Sequence, residues 1–176
     1  MLITLEYLKE KSACRSGLKY FIEHFPEGGE YQDVLDALAK DNESSHADWL
    51  MQKVGKMDTV LEIDGDLEIE GNIFFAGLIK VTGFLKVKLG IKAGWGIKAG
   101  WGIKAGEGIK AGSGIEAGSG IKAGEGIEAG WGIEAGDDYA IYAGLRICIS
   151  LKAQYALVIA KELPKNLLLG IFKAKE

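Results

Sequence analysis

The chain has 176 residues, 48% of them hydrophobic, and a formal net charge of −4. That length accommodates one elongated domain plus a small second one, and the mild acidity argues against nucleic acid as a direct ligand held by bulk positive charge. No apolar run is long enough to cross a membrane as a helix, and the opening MLITLEYLKEKS lacks the basic start, apolar core and cleavage site of a leader, so a cytoplasmic chain without a membrane partner is expected.

Residues 1–57 have no glycine period and read as a small helical domain. Leu2 to Lys11 and Ala13 to Phe25 carry apolar residues at helical intervals, Pro26, Gly28 and Gly29 break the chain, and Tyr31 to Lys40 turns Val34, Leu35 and Leu38 inward. Asn42 or Ser45 is expected to cap a last helix holding Ala47, Trp49, Leu50 and Val54, closed by Gly55. A core of this size is marginal alone, so the domain should dock over the first coil of the repeat region and cover its edge. Tyr20, Phe21, Phe25 and Trp49 read as core, and His24 and His46 as ordinary surface or boundary residues. Cys14 and Cys148 lie far apart in sequence and neither histidine has a cysteine pair at ligand spacing, so two reduced thiols, no disulfide and no metal site are expected.

Residues 58–162 repeat every six residues, almost verbatim in the middle: GIKAGW, GIKAGW, GIKAGE, GIKAGS, GIEAGS, GIKAGE, GIEAGW, GIEAGD. Helical repeat units need roughly 30 residues, so each hexad must be one short strand plus a corner. The first aliphatic residue of each hexad, from Leu61 through Ile133 and on to Tyr139, Leu145, Leu151 and Leu157, should point inward. So should the residue two further on, while the charged residue between them faces water. The glycines are expected to supply positive φ at the corners. Three hexads per coil make a triangular β-helix in which residues 18 apart stack, and the fold class is α+β: helical cap first, β-solenoid second. Residues 163–176, NLLLGIFKAKE at their core, read as a capping strand or helix; Leu167, Leu168, Leu169, Ile171 and Phe172 need a partner, either the open solenoid end or a second copy in a homodimer.

The early hexads LEIDGD and LEIEGN resemble those of bactofilins, bacterial scaffolds built from such a helix, over roughly residues 61–160. The resemblance implies end-to-end self-assembly. The uniform, glycine-rich GIKAGW units depart from it. Hexapeptide acyltransferases are similar in fold as well, but depend on a histidine in or near the coils, and residues 61–176 contain none. No GxSxG, HExxH, phosphate loop or cysteine–histidine constellation is visible, and the Gly-x-Gly steps are corners with no following helix. No catalytic residue and no cofactor are therefore expected.

The surface is more informative. Stacking at 18 residues puts Lys86, Lys104 and Lys122 in one ladder, where like charges at strand spacing repel unless an anionic partner offsets them. Trp95, Trp101 and Trp131 sit at corner positions that also accept serine and acids, which suggests exposure, and exposed tryptophan is enriched in binding hot spots. These six residues form the expected partner-binding set. The function they suggest is a non-enzymatic solenoid that binds a protein. Small two-part bacterial chains with near-perfect repeats look like phage or mobile-element products, so an inhibitor of a defence or nucleic-acid-processing complex, anti-CRISPR-like, is expected. The alternative is the bactofilin-like scaffold.

Overall fold

The computed structural model describes residues 1–175. The chain opens with β1 (Leu2–Ile3), paired antiparallel with β2 (Gly29–Glu30), and not with a helix at Leu2. Thr4 explains the difference. Its backbone is extended, and its hydroxyl accepts the Tyr7 N–H at 3.2 Å, so the first helix, α1 (Leu5–Glu10), starts only after it. α2 (Arg15–His24), α3 (Tyr31–Lys40) and α4 (Ser44–Val54) follow, with Gly55 ending α4 at φ 87°. The residue before α4 is Glu43, not Asn42 or Ser45: Asn42 takes a left-handed φ of 61°, and its side-chain oxygen instead accepts from Asn72 Nδ2 at 3.0 Å. Ile3, Leu8, Phe21, Tyr31, Leu35 and Leu50 form the centre of this small core.

From Val60 onward the chain is a parallel β-solenoid of about six turns. Its regular part runs through β3 (Val60–Ile63), β4 (Leu67–Ile69), β5 (Ile73–Phe75), β6 (Leu78–Val81), β7 (Leu85–Val87), β8 (Ile91–Ala93), β9 (Ile97–Ala99), β10 (Ile103–Ala105), β11 (Ile109–Ala111), β12 (Ile115–Ala117), β13 (Ile121–Ala123), β14 (Ile127–Ala129) and β15 (Ile133–Ala135). Three sheets result: face one holds β3, β6, β9, β12 and β15; face two starts β4, β7, β10, β13; face three starts β5, β8, β11, β14. The register is 18 residues throughout, for example Ile79↔Ile97 and Ile103↔Ile121. Each inward side of the middle coils is one large and one small residue, and Ile97, Ile115 and Ile121 are wholly buried. An isoleucine taken out of water in this way contributes about 2 kcal/mol, repeated along the axis.

The corner glycines are present for a different reason from the one expected. Within the solenoid only Gly65, Gly144 and Gly170 have positive φ among the described residues. The glycine that follows each alanine instead lies hard against the carbonyl of the residue one coil back: a methyl group at Gly112 would overlap the Gly94 oxygen. In the coils from Gly94 on, this position lies too close to the coil before it for a side chain, whereas the earlier coils carry Thr82 and Lys88 there.

The hexad pattern fails after Ala135. Tyr139 and Leu145 are both 51% exposed and Leu151 is 44% exposed, whereas Ile141, Ala143, Val158 and Ala160 take the inward positions. Asp137 and Asp138 lengthen the corner by two residues, so Ile141-Tyr142-Ala143-Gly144 presents the same I-x-A-G as earlier sides and Ile141 stacks on Ile121, 20 residues back. β16 (Ile141–Tyr142) is thus on face two. The chain then leaves the coil through a 3₁₀ turn (Ile149–Leu151) and the short α5 (Lys152–Tyr155), and returns as β17 (Leu157–Ala160) on face three. Of the two forms expected, strand or helix, the tail takes the strand form over the last coil. It continues the solenoid as β18 (Leu167–Leu169), paired with β16, and β19 (Ile171–Ala174), paired with β17.

The helical domain is docked on the flank of face three. Phe74, which points outward from β5, is 1% exposed beneath the helices, and Gln32 of α3 donates to the Phe74 carbonyl at 2.8 Å while accepting the Ala76 N–H at 3.0 Å. Gln32 thereby covers the free edge of β5. The edges of β3 and β4 remain uncovered: inward Leu61, Ile63, Leu67 and Ile69 are half-exposed, while Ile79, Val81, Leu85 and Val87 one coil later are fully buried. Farther along, Asp48 of α4 meets Lys92 at 2.7 Å and Lys110 at 3.9 Å. Burial pushes the Lys92 ammonium below its ordinary range, and the Asp48 carboxylate recovers only part of that.

Candidate functional site

Face two carries the most distinctive surface. Lys104 stands directly opposite Lys86 on one side and Lys122 on the other, so three lysines stack at about 4.8 Å strand spacing, with Glu68 opposite Lys86 at the near end of the row. No carboxylate lies within 4.0 Å of any of the three among the described residues. On the other two faces the same outward positions are paired: Glu62 with Lys80 at 2.6 Å, Lys98 with Glu116 at 2.8 Å, Lys110 with Glu128 at 3.4 Å. Like charges also stand in register elsewhere, Lys80 with Lys98 and Lys92 with Lys110, but each of those lysines has a carboxylate within 4.0 Å.

Aromatic rings border it. Trp101 is 57% exposed and its ring lies 5.7 Å from that of Phe84. Lys86 sits 5.3 Å over Phe84, and Lys122 5.7 Å over Tyr142. Phe84, Trp101 and Tyr142 with the three lysines thus form one cationic and aromatic strip.

The structure splits the six expected residues. Trp95 and Trp131 lie on the corner between faces three and one, across face one from Trp101. Each has a lysine ammonium over its ring, Lys56 at 3.8 Å from that of Trp95 and Lys161 at 3.7 Å from that of Trp131, while the two residues stay 39% and 62% exposed. Of the five tail residues, Leu167 and Phe172 pack against the solenoid core, Leu169 is half-buried, and Leu168 and Ile171 are 70% and 44% exposed.

No cysteine–histidine constellation is visible in the sequence, yet the helical domain contains one. Cys14, at the N-cap of α2, has Sγ 3.2 Å from Ser16 Oγ, and Ser16 Oγ is 3.2 Å from His46 Nε2. His46 Nδ1 lies 2.9 Å from Glu43 Oε2 but out of line for a hydrogen bond, and is otherwise shut away from partners. Beside them a cavity of about 40 Å³ is lined by Leu8, Phe21, Val34, Leu38, Trp49 and Leu50, with Cys14 and His46 at its polar side. The Ser16 hydrogen bond, then the Gly17 N–H and the nearby imidazole, hold the Cys14 thiol down at about 7 against a smaller opposing effect of burial. The 14-x-16 spacing was the only sequence signal; the 30 residues to His46 are bridged by tertiary packing alone.

Residues 1–57 match the family model described as the YdhT N-terminal domain. The match covers the helical domain, about a third of the chain, and stops before β3. No bactofilin or hexapeptide-repeat family model matches the solenoid. No curated protein and no solved structure matches the chain.

Proposed function

We propose that this protein is a non-enzymatic binding module whose solenoid presents the face-two strip to an acidic protein surface. The observation that carries the reading is the unpaired ladder Lys86–Lys104–Lys122, bordered by Phe84, Trp101 and Tyr142. Like charges in direct register destabilise a sheet, and the outward lysines of the other two faces, Lys80, Lys92, Lys98 and Lys110, each have a carboxylate within 4.0 Å, so an external anionic group is the natural complement. An exposed tryptophan beside desolvatable cations supplies the apolar anchor that such an interface needs. The target class we propose is a bacterial defence or nucleic-acid-processing complex, which the chain would inhibit; that part of the reading rests on the near-identity of the repeats. Capture from bacterial lysate tests it. The wild-type chain should recover one stoichiometric partner complex, and K86E/K104E/K122E, with unchanged circular dichroism, should lose it. Equal recovery by both would overturn the strip as the binding site.

A second reading, the self-assembling scaffold, is favoured by the uncovered ends. The first coil carries Glu62, Asp64, Asp66, Glu68 and Glu70 with no basic residue between them, Glu62 and Glu70 already meeting Lys80 and Lys88, and the last carries Lys161, Lys165, Lys173 and Lys175 with Glu162 among them. Head-to-tail stacking would bring these opposite charges together. Light scattering that grows with concentration into long assemblies, and reverts in high salt, supports the scaffold over the binder.

A further inference from the structure

The cluster around Cys14 is independent of the solenoid surface, and the inference drawn from it goes beyond the binding role without resting on it. Three features meet there. The thiol is exposed and linked through one hydroxyl to an imidazole. The amide N–H groups of Arg15 and Ser16, the first two of a ten-residue helix, find no acceptor among the described residues, while that of Gly17 donates to Sγ at 3.4 Å. The adjoining cavity of about 40 Å³ is almost wholly apolar in its lining. A nucleophile, a proton acceptor, donors for a developing oxyanion and an apolar recess are the parts that acyl transfer to a thiol requires. The recess would hold roughly three water-sized groups, which suits an acyl chain of a few carbons and not a long one.

We propose that Cys14 is an acyl-acceptor thiol, which takes one short acyl group from an acyl thioester and seats its chain in the cavity between α1, α2, α3 and α4. The thiol proton passes by way of Ser16 Oγ to His46 Nε2. Sγ forms a bond to the carbonyl carbon, and the carbonyl π pair moves onto oxygen, facing the free N–H groups at the start of α2. Collapse restores the carbonyl, breaks the donor's C–S bond and expels its thiolate, which takes the proton from His46. The sum is Cys14–SH plus R–CO–S–R′ giving Cys14–S–CO–R plus R′–SH, with no oxidant or reductant consumed. Cys14 is the residue modified; Ser16 and His46 act through it, and Glu43 holds His46. The groups facing the thiol are Ser16 on its own helix and His46 with Glu43 behind it on the α4 side. Tyr20, whose ring is 6.4 Å from that of His46, is kept protonated by burial and by the Asp41 carboxylate.

The test uses the full chain with the S-acetyl, S-butyryl and S-decanoyl thioesters of N-acetylcysteamine, read by intact mass and by peptide mapping. Cys148, also exposed, is the internal control. A thiol at about 7 instead of 9.0 has roughly 50-fold more thiolate at pH 7. Its intrinsic nucleophilicity is about tenfold lower, so acetylation of Cys14 should exceed that of an ordinary thiol about fivefold at pH 7, and the advantage should vanish near pH 8 and reverse by about pH 9. Acetyl and butyryl donors should outrun decanoyl. Ser16→Ala, at an exposed position, and His46→Ala should each slow acetylation at pH 7 by up to about fivefold while leaving it much less affected at pH 9. Labelling of Cys14 no faster than Cys148, indifference to Ser16→Ala, or rapid reaction with iodoacetamide but not with thioesters would each overturn the proposal.

Discussion

Replacing Gly112 by alanine, and separately Gly114, two residues on in the same corner, distinguishes close approach from backbone freedom as the reason for glycine in the repeat. Neither residue has a left-handed φ, so backbone freedom alone predicts that alanine is tolerated at both. Space divides them. A methyl group at Gly112 overlaps the Gly94 carbonyl oxygen, whereas at Gly114 the nearest atom, the Gly132 oxygen, is 3.6 Å away in ordinary contact. Relieving the overlap at Gly112 means lifting one coil from the next. That weakens the hydrogen bonds Gly112 N–H to Ala93 O at 3.0 Å and Ser113 N–H to Trp95 O at 2.6 Å. Each is worth about 1 kcal/mol, and overpacking adds about 1–3 kcal/mol, so Gly112→Ala should destabilise by about 2–4 kcal/mol. Gly114→Ala should be neutral or stabilising by up to about 1 kcal/mol through the unfolded chain. For a chain of this size the first change lowers Tm by roughly 5–15 °C, measurable by circular dichroism with urea midpoints as a check. Equal shifts for the two variants would refute close approach as the cause.

Lys104→Glu should stabilise the rod by about 0.5–1 kcal/mol at low salt, because one carboxylate then faces Lys86 and Lys122; the gain should disappear near 1 M salt in parallel melts. Glu128 carries a pH signature. Burial works to raise its pKa, but the Lys175 and Lys110 ammonium groups overcome this and hold it below the ordinary 4.5. A depressed carboxylate contributes stability above its unfolded value that is lost as pH falls through the folded one. Glu128→Gln should therefore be less stable than wild type at neutral pH and converge with it in urea titrations well below pH 4.5. Trp101→Ser and Trp131→Ser, at 57% and 62% exposed sites, should each change stability by less than about 1 kcal/mol, whereas a collapsed thermal transition would make them packing residues.

The solenoid is legible in the sequence because six-residue periodicity repeats one decision many times: Ile97, Ala99 and their equivalents alternate inward with a charged residue between them, and nothing else satisfies that pattern. Its far end is not, because counting by six carries the frame through Asp137–Asp138, although Ile141-x-Ala143-Gly144 is a better match to the repeat than Tyr139. That the helical domain docks on the first coil is expected from its small core, but which face it takes is not. That choice depends on Phe74 standing where the next coil has Lys92, a single apolar residue at an outward position. Four of the six expected residues share one surface, since Lys86, Lys104 and Lys122 follow directly from stacking and Trp101 lies at the corner beside them. The tryptophans divide because Trp101 lies at a different corner from Trp95 and Trp131. The Cys14–His46 cluster is hidden in the sequence because its members lie on separate helices, and only packing of α2 against α4 brings them together.

Site-specific photocrosslinking in bacterial cells tests the binding claim most directly, with benzoylphenylalanine placed at Trp101 on the edge of face two and, separately, at Glu116 on face one. Binding through the strip predicts one adduct of defined mass from the Trp101 position, depleted by Lys104→Glu, and none from Glu116. Equal crosslinking from both faces, or a ladder made only of this chain from either, would contradict it.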